Sequence, residues 1–166
     1  VAASRLDRFT RQPLSEWTDA DIEQLRSVDT VLLLDVLEHM YNPWAELEFL
    51  AQHLSFDAQV VVSLPNVGHI SVLENLASGA FPYAATGILD VTHVRFFTLA
   101  GMQSMFDQTG FQIDGTWILN RSANTEIKRF PVNVQAGKLT LQVQDPAEWE
   151  RLNAIQFGFR LSLKAT

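Results

Sequence analysis

The chain is 166 residues long, 47% hydrophobic and 19% charged, with a formal net charge of −7 and no cysteine. That is enough chain for one domain with its own core, and too apolar for disorder. The acidic balance, without a Lys/Arg cluster, excludes a direct grip on nucleic-acid backbone. The missing cysteines exclude disulfides, thiolate metal sites and a cysteine nucleophile.

No apolar segment approaches the roughly 20 residues that cross a bilayer, and no signal peptide is visible. A cytoplasmic protein without a membrane span is expected. The chain begins at Val1 in mid-pattern, so a fragment is expected.

Residues 1–11 are amphipathic and fit a helix tail leading into a short strand near residues 8–10. Residues 15–26 read as a helix, with Thr18 as N-cap and Asp19, Asp21 and Glu23 acidic near its N-terminal end. Residues 31–34 form an apolar run that suits a strand buried on both faces. Residues 43–54 read as a helix capped by Asn42, with Pro43 in the first turn and Trp44, Leu47, Leu50 and Leu54 at helical spacing.

A second buried strand is expected over 59–64, stopped by Pro65 and Asn66, then a helix over 69–77. Residues 79–92 read as an irregular, aromatic-bearing loop, and 99–109 as a helix closed by Gly110. A third strand follows over 111–119. Residues 120–147 read as an irregular insertion with short β pieces near 132–134 and 139–143. A helix over 146–155 and a final alternating strand over 157–164 complete the chain. No linker divides it, so 1–166 is read as one domain. The element order argues α/β with a mainly parallel sheet.

In such sheets ligands bind just beyond the carboxyl ends of the strands. Asp35, Glu38 and His39 fall at that edge, spaced i, i+3, i+4, so a helical turn there places them on one face. Asn66 and His69 follow the second strand at the same edge. Asp90, Thr92, His93 and Arg95 sit in the loop. Each group has a bland counterpart: a helix opening and cap at Glu38 and His39, a plain turn at Asn66 and Gly68, and an Asp90–Arg95 salt bridge ordering the loop. Trp17, Trp117 and Trp149 read as core or helix-face residues. Phe96 and Phe97 read as core.

Five stretches together resemble a known family. They are Asp35-Val36-Leu37-Glu38-His39, then Asn42-Pro43-Trp44, then Ser63-Leu64-Pro65-Asn66-Val67-Gly68-His69, then the run from Gly87 through Asp90, His93 and Arg95 to Thr98, and Thr109-Gly110-Phe111. Their combination resembles the second half of a class I S-adenosylmethionine-dependent methyltransferase, over roughly residues 1–120. It is most similar to the branch found beside glycosyltransferases in bacterial surface-polysaccharide systems.

The resemblance implies an α/β, Rossmann-like sheet with an antiparallel last strand, in which residues 31–34 are the fourth strand of seven. Residues 59–64 are then the fifth, 111–119 the sixth, and 157–164 the seventh, lying between those two. It implies that Asp35, Val36 and His39 line the cofactor and acceptor, with His39 or His93 as general base. Asn66, His69 and Arg95 become acceptor-binding candidates.

Some related methyltransferases hold a divalent metal with an acidic-x-x-Glu-His arrangement and a later histidine. Asp35, Glu38, His39 and His93 resemble that set, and their ligand types are suitable. The family's glycine-rich loop and the acidic residue ending its second strand are absent, and Gln12-Pro13 stands where the third strand usually carries an acidic residue. The sheet is therefore read as incomplete, lacking its first strands. Either a missing N-terminal half or a homodimer is expected to cover the exposed edge. Two functions remain open: methyl transfer to an O or N atom of a small-molecule or sugar acceptor, and a non-catalytic scaffold or dimerisation module.

Overall fold

A computed structural model describes residues 12–122 and 127–165. The expected helix tail and short strand before residue 12 lie outside the described residues.

The first helix is shorter than its pattern. Leu14–Glu16 is a single 3-10 turn, and α1 (Asp19–Arg26) starts only after Thr18. The Thr18 side chain accepts from the Asp21 N–H while Asp21 accepts from Thr18 in return. That reciprocal capping fixes the start more strongly than the acidic pattern alone. β1 (Thr30–Leu34) leads through a second 3-10 turn, Leu37–His39, to α2 (Pro43–His53), capped by Asn42 as expected. β2 (Gln59–Pro65), α3 (Ile70–Ala77), α4 (Leu99–Gln108) and β3 (Phe111–Arg121) follow. The irregular insertion contains a hairpin, β4 (Val132–Ala136) and β5 (Leu139–Val143), turned at Gly137 with φ 57°. α5 (Pro146–Asn153) runs directly into β6 (Ala154–Leu163).

The main sheet has the order β1-β2-β6-β3. β1 and β2 are parallel, while β6 is antiparallel to both β2 and β3. Three strands therefore run one way and the last strand opposes them from between β2 and β3. This is an α/β, Rossmann-like sheet with an antiparallel last strand, as expected from the sequence.

One face of the sheet carries the core. Val60, Val62 and Leu64 of β2 and Phe159 and Leu161 of β6 cluster with Leu47 and Leu50 of α2 and Met102, Met105 and Phe106 of α4. Each such side chain contributes roughly 1.5–3 kcal/mol when fully buried. Phe106 and Phe159 meet edge-to-face at 5.0 Å, a geometry aromatic quadrupoles favour.

The other face corrects one expectation. Leu32 and Leu34 point away from the core and are 61% and 52% exposed, so β1 is buried on one face only. It pairs with β2 alone, and no described strand pairs with its second edge. Trp117 is also not core. It is 41% exposed and its indole lies over Gly158, where a Cβ would stand 2.5 Å from Nε1.

Candidate active site

The site begins where β1 ends. Asp35 adopts φ 54°, a left-handed conformation that costs a non-glycine residue roughly 1 kcal/mol. Its surroundings hold it there. The Asp35 N–H donates to the carbonyl (3.3 Å) and Oγ (3.0 Å) of Ser63. The Ser63 hydroxyl donates to Asp35 Oδ1 at 2.9 Å, and Gln156 Nε2 donates to the same oxygen. Gln156 in turn accepts from Asn120 Nδ2 at 2.8 Å. These contacts link the carboxyl ends of β1 and β2 to residues of β3 and β6.

The reversal at Asp35 leads through half-buried Val36 into the Leu37–His39 turn, which sends Leu37 into the core and carries Glu38 in with it. Glu38 is 1% exposed, and neither carboxylate oxygen has a hydrogen-bond partner among the described residues. Burial pushes its carboxyl up to about 7, and the nearby Asp35 adds to that rise, while the Glu38 backbone and His39 oppose it. An unsatisfied buried carboxylate costs several kcal/mol in its charged form, so a structure that retains one has a use for its oxygens or carries strain.

Two histidines face this carboxylate. His93 Nε2 lies 4.0 Å from Glu38 Oε1, and the His93 side chain is only 8% exposed. The His39 and His93 rings meet at 4.9 Å with planes 69° apart. Each Nδ1 lies 3.1 Å from a backbone carbonyl, Thr92 for His39 and Ile88 for His93. A carbonyl only accepts, so each Nδ1 carries the proton and the lone pair of the neutral ring lies on Nε2. One carboxylate oxygen of Glu38 and one nitrogen from each ring lie within 4.8 Å of one another.

The loop that delivers His93 is fastened to the same turn. The Glu38 carbonyl accepts from the N–H groups of Val94 (2.9 Å) and Arg95 (3.0 Å). Asp90 Oδ1 accepts from the Thr92 N–H at 2.8 Å and its hydroxyl at 2.7 Å, which shapes the turn that presents the Thr92 carbonyl to His39. The same two bonds hold the Asp90 carboxyl below its ordinary range. Glu38, His39 and His93 open onto a cavity of about 320 Å³, also lined by Asp35, Asp90, Asn120 and Gln156.

The other candidates separate from this group. Asp35 lines the cavity but stands outside the three-residue donor set, its Oδ1 engaged by Ser63 and Gln156. Asn66 is 2% exposed and committed to backbone: Nδ2 donates to the carbonyls of Arg151 (3.0 Å) and Ala154 (2.8 Å), and Oδ1 accepts from Gly68.

His69 is buried and caps α3 by accepting from the Ser71 N–H, with Nε2 2.7 Å from Ser122 Oγ. Burial lowers its pKa from 6.5, against an opposing hydrogen bond to the Asn153 backbone. Arg95 is exposed and donates to the Tyr41 carbonyl, and no Asp90–Arg95 ion pair forms among the described residues. Asn120 and Gln156 were not singled out by the sequence, and Ser63 entered only within the stretch that resembles the family, without a role. Their common signal is a polar residue near one end of a strand.

The geometry invites comparison with solved structures. The chain is similar in fold to an S-adenosylmethionine-dependent methyltransferase from Clostridium acetobutylicum, with TM-score 0.54 and 8% identity over 99% of this chain and 68% of that one. A methyltransferase from Archaeoglobus fulgidus gives TM-score 0.51 and 14% identity over 87% of this chain and 65% of that one. A methyltransferase from Thermotoga maritima, described as a possible histamine N-methyltransferase, gives TM-score 0.47 and 13% identity over 84% of this chain and 57% of that one. At such identities the likeness is one of fold, and the chain spans little more than half the length of this last structure. A search of curated proteins returns no match. Residues 3–115 match the family model described as a methyltransferase domain, and the chain belongs to that family.

Proposed function

We propose that this chain forms the acceptor side of an S-adenosylmethionine-dependent methyltransferase acting on an oxygen or nitrogen atom of a small molecule, with a divalent cation held by Glu38, His39 and His93. The observation that carries the reading is the buried Glu38 carboxylate, unpartnered and facing two imidazoles. The donor set fits a cation on chemical grounds. One nitrogen of each imidazole and one carboxylate oxygen converge, and Nδ1 of each ring lies against a backbone carbonyl, the outer-shell arrangement usual for metal-ligating histidine. Imidazole-rich sets favour later first-row ions such as Co²⁺ or Zn²⁺ over Mg²⁺.

A cation held by Glu38, His39 and His93 would supply Lewis acidity toward the acceptor atom. The chain's own residues orient and exclude. Asp35, at the cavity wall beyond β1, is placed to line the methionine end of the cofactor. The loop holding His93 lines the same cavity through Gly87, Ile88 and Asp90. Methyl transfer forms the acceptor–CH₃ bond as the S–CH₃ bond breaks, leaving S-adenosylhomocysteine and releasing the acceptor proton to solvent. Most of the acceleration comes from holding donor and acceptor in line.

A second reading, in which His39 Nε2 itself takes the proton without metal, is favoured by its exposure beside the cavity. Calorimetric titration with Co²⁺, Mn²⁺ and Mg²⁺, followed by methyl-transfer assays after chelation, separates the two. Tight Co²⁺ binding and loss of activity on chelation support the metal. Full activity after chelation supports His39 as base. A folded protein that binds neither cation nor S-adenosylmethionine fits a scaffold, a role the exposed Leu32 and Leu34 would suit on a strand whose second edge pairs with no described strand.

A further inference from the structure

A second cavity adjoins the first. It measures about 530 Å³ and shares Gly87, Ile88 and Ile155 with the cavity of the donor triad. Its other lining includes Val72, Tyr83, Ala84 and Leu89. This size and apolar character suit a small organic ligand.

Among the polar groups at its wall, His69, Ser71 and Ser122 are matched to one another, and the Asn75 side-chain amide and the Tyr83 hydroxyl have no hydrogen-bond partner among the described residues. The Ser71 N–H donates to His69 Nδ1 at 3.2 Å, so the His69 proton sits on Nε2 and is directed at Ser122 Oγ at 2.7 Å. A pocket that reads a sugar presents unspent donors and acceptors to its hydroxyls, and rejects analogues by leaving those groups unpaired. Here His69 and its two serines are already engaged with one another. No lysine or arginine lines either cavity among the described residues. Arg95, the nearest candidate for an acidic acceptor, is engaged with the Tyr41 carbonyl. Tyr83, 59% exposed at the rim, meets Phe81 edge-on at 5.4 Å, and Phe81 meets Phe96 at 5.3 Å. The rim is therefore aromatic.

We propose that this chamber holds the apolar, ring-sized body of an uncharged acceptor, whose reacting oxygen reaches past Gly87 and Ile88 to the Glu38, His39 and His93 cluster. This deepens the methyltransferase reading and rests on it only for the fate of that oxygen. It selects against sugar nucleotides and acidic acceptors, and disfavours sugars, whose several hydroxyls would find only the Asn75 amide and the Tyr83 hydroxyl unspent. Gly87 suits the passage between the cavities: its φ of 93° strains any other residue, and a Cβ there would meet nothing within 4 Å.

The test uses 2-naphthol as the ring-sized probe and methyl β-glucopyranoside as the sugar. Each is titrated into the full chain while the amide resonances of residues 83–89 are followed. Naphthol is expected to shift those resonances saturably and the glucoside to leave them unmoved. Ala84→Trp, which fills the chamber, is expected to weaken naphthol at least tenfold while Co²⁺ binding stays as in the parent. Should Ala84→Trp fail to fold, Tyr83→Ala replaces it, with a loss of threefold or more expected from the missing rim. Glucoside binding without naphthol binding, or undiminished naphthol binding in both variants, overturns the proposal. Naphthol binding in a chain that binds no Co²⁺ upholds the chamber and removes only the cation reading.

Discussion

Two turns follow the parallel strands β1 and β2 at the same edge of the sheet, and both carry acidic, amide or imidazole groups. The turn after β2 consumes them. Asn66 ties three backbone groups, two of them more than 80 residues away in sequence, and His69 is bonded through both ring nitrogens. The turn after β1 does the opposite. Glu38 is as deeply buried as Asn66, yet its carboxylate oxygens accept nothing from the described residues. Residue type and position at a sheet edge do not separate scaffold from site; the accounting of hydrogen bonds does.

The contrast breaks most sharply at Glu38. Removing a metal ligand should cost more than the 10–100-fold lost with an outer-shell partner. Glu38→Gln is therefore expected to weaken Co²⁺ binding by at least ~10²-fold in a calorimetric titration. Above pH 7, where the buried Glu38 carboxyl is forced into its charged form, the same change should raise the chemical-denaturation midpoint of the cation-free chain. A variant that binds Co²⁺ normally and is less stable would make Glu38 a framework residue like its counterpart.

Asn66→Ala should behave in the reverse sense. It strands the Arg151 and Ala154 carbonyls and should cost about 2–4 kcal/mol of unfolding free energy. Cation affinity, measured at a temperature where the variant is folded, should not change. Asp90→Ala loosens the turn that presents the Thr92 carbonyl to His39 and should weaken Co²⁺ by about tenfold. The readout specific to positioning is the tautomer of the His39 ring by nitrogen NMR, which should shift away from Nδ1–H.

The smallest expected effect concerns His69. Its folded pKa lies below the ordinary 6.5, so the unfolded chain binds more protons as pH falls under that value. The stability His69 contributes is present in full above pH 6.5 and drains below it. Subtracting the stability of His69→Gln from that of the parent across pH 5–7.5 should isolate this slope. A flat difference would mean His69 is not held neutral.

Much of this was legible in the sequence. The apolar runs gave β1 and β2, and Thr18 and Asn42 announced their helices, because strand burial and capping are local effects. The apolar run put Asp35, Glu38 and His39 at the carboxyl edge of β1, but their helical spacing did not bring Asp35 into the cluster that Glu38 and His39 form with His93. What local pattern could not carry was partnership across the chain. Nothing near Asn66 points to Arg151 or Ala154, and nothing near Asp35 points to Gln156. An apolar run reports a preference for burial without saying how many layers cover it, which is why Leu32 and Leu34 read as core while one sheet face leaves them exposed.

The double acceptance at the Glu38 carbonyl couples two segments of the chain. The N–H groups of Val94 and Arg95 fasten the loop to the very residue whose side chain faces His93. A displacement of the loop relative to that turn strains both bonds and moves His93 against the carboxylate, so loop and donor set shift as one unit.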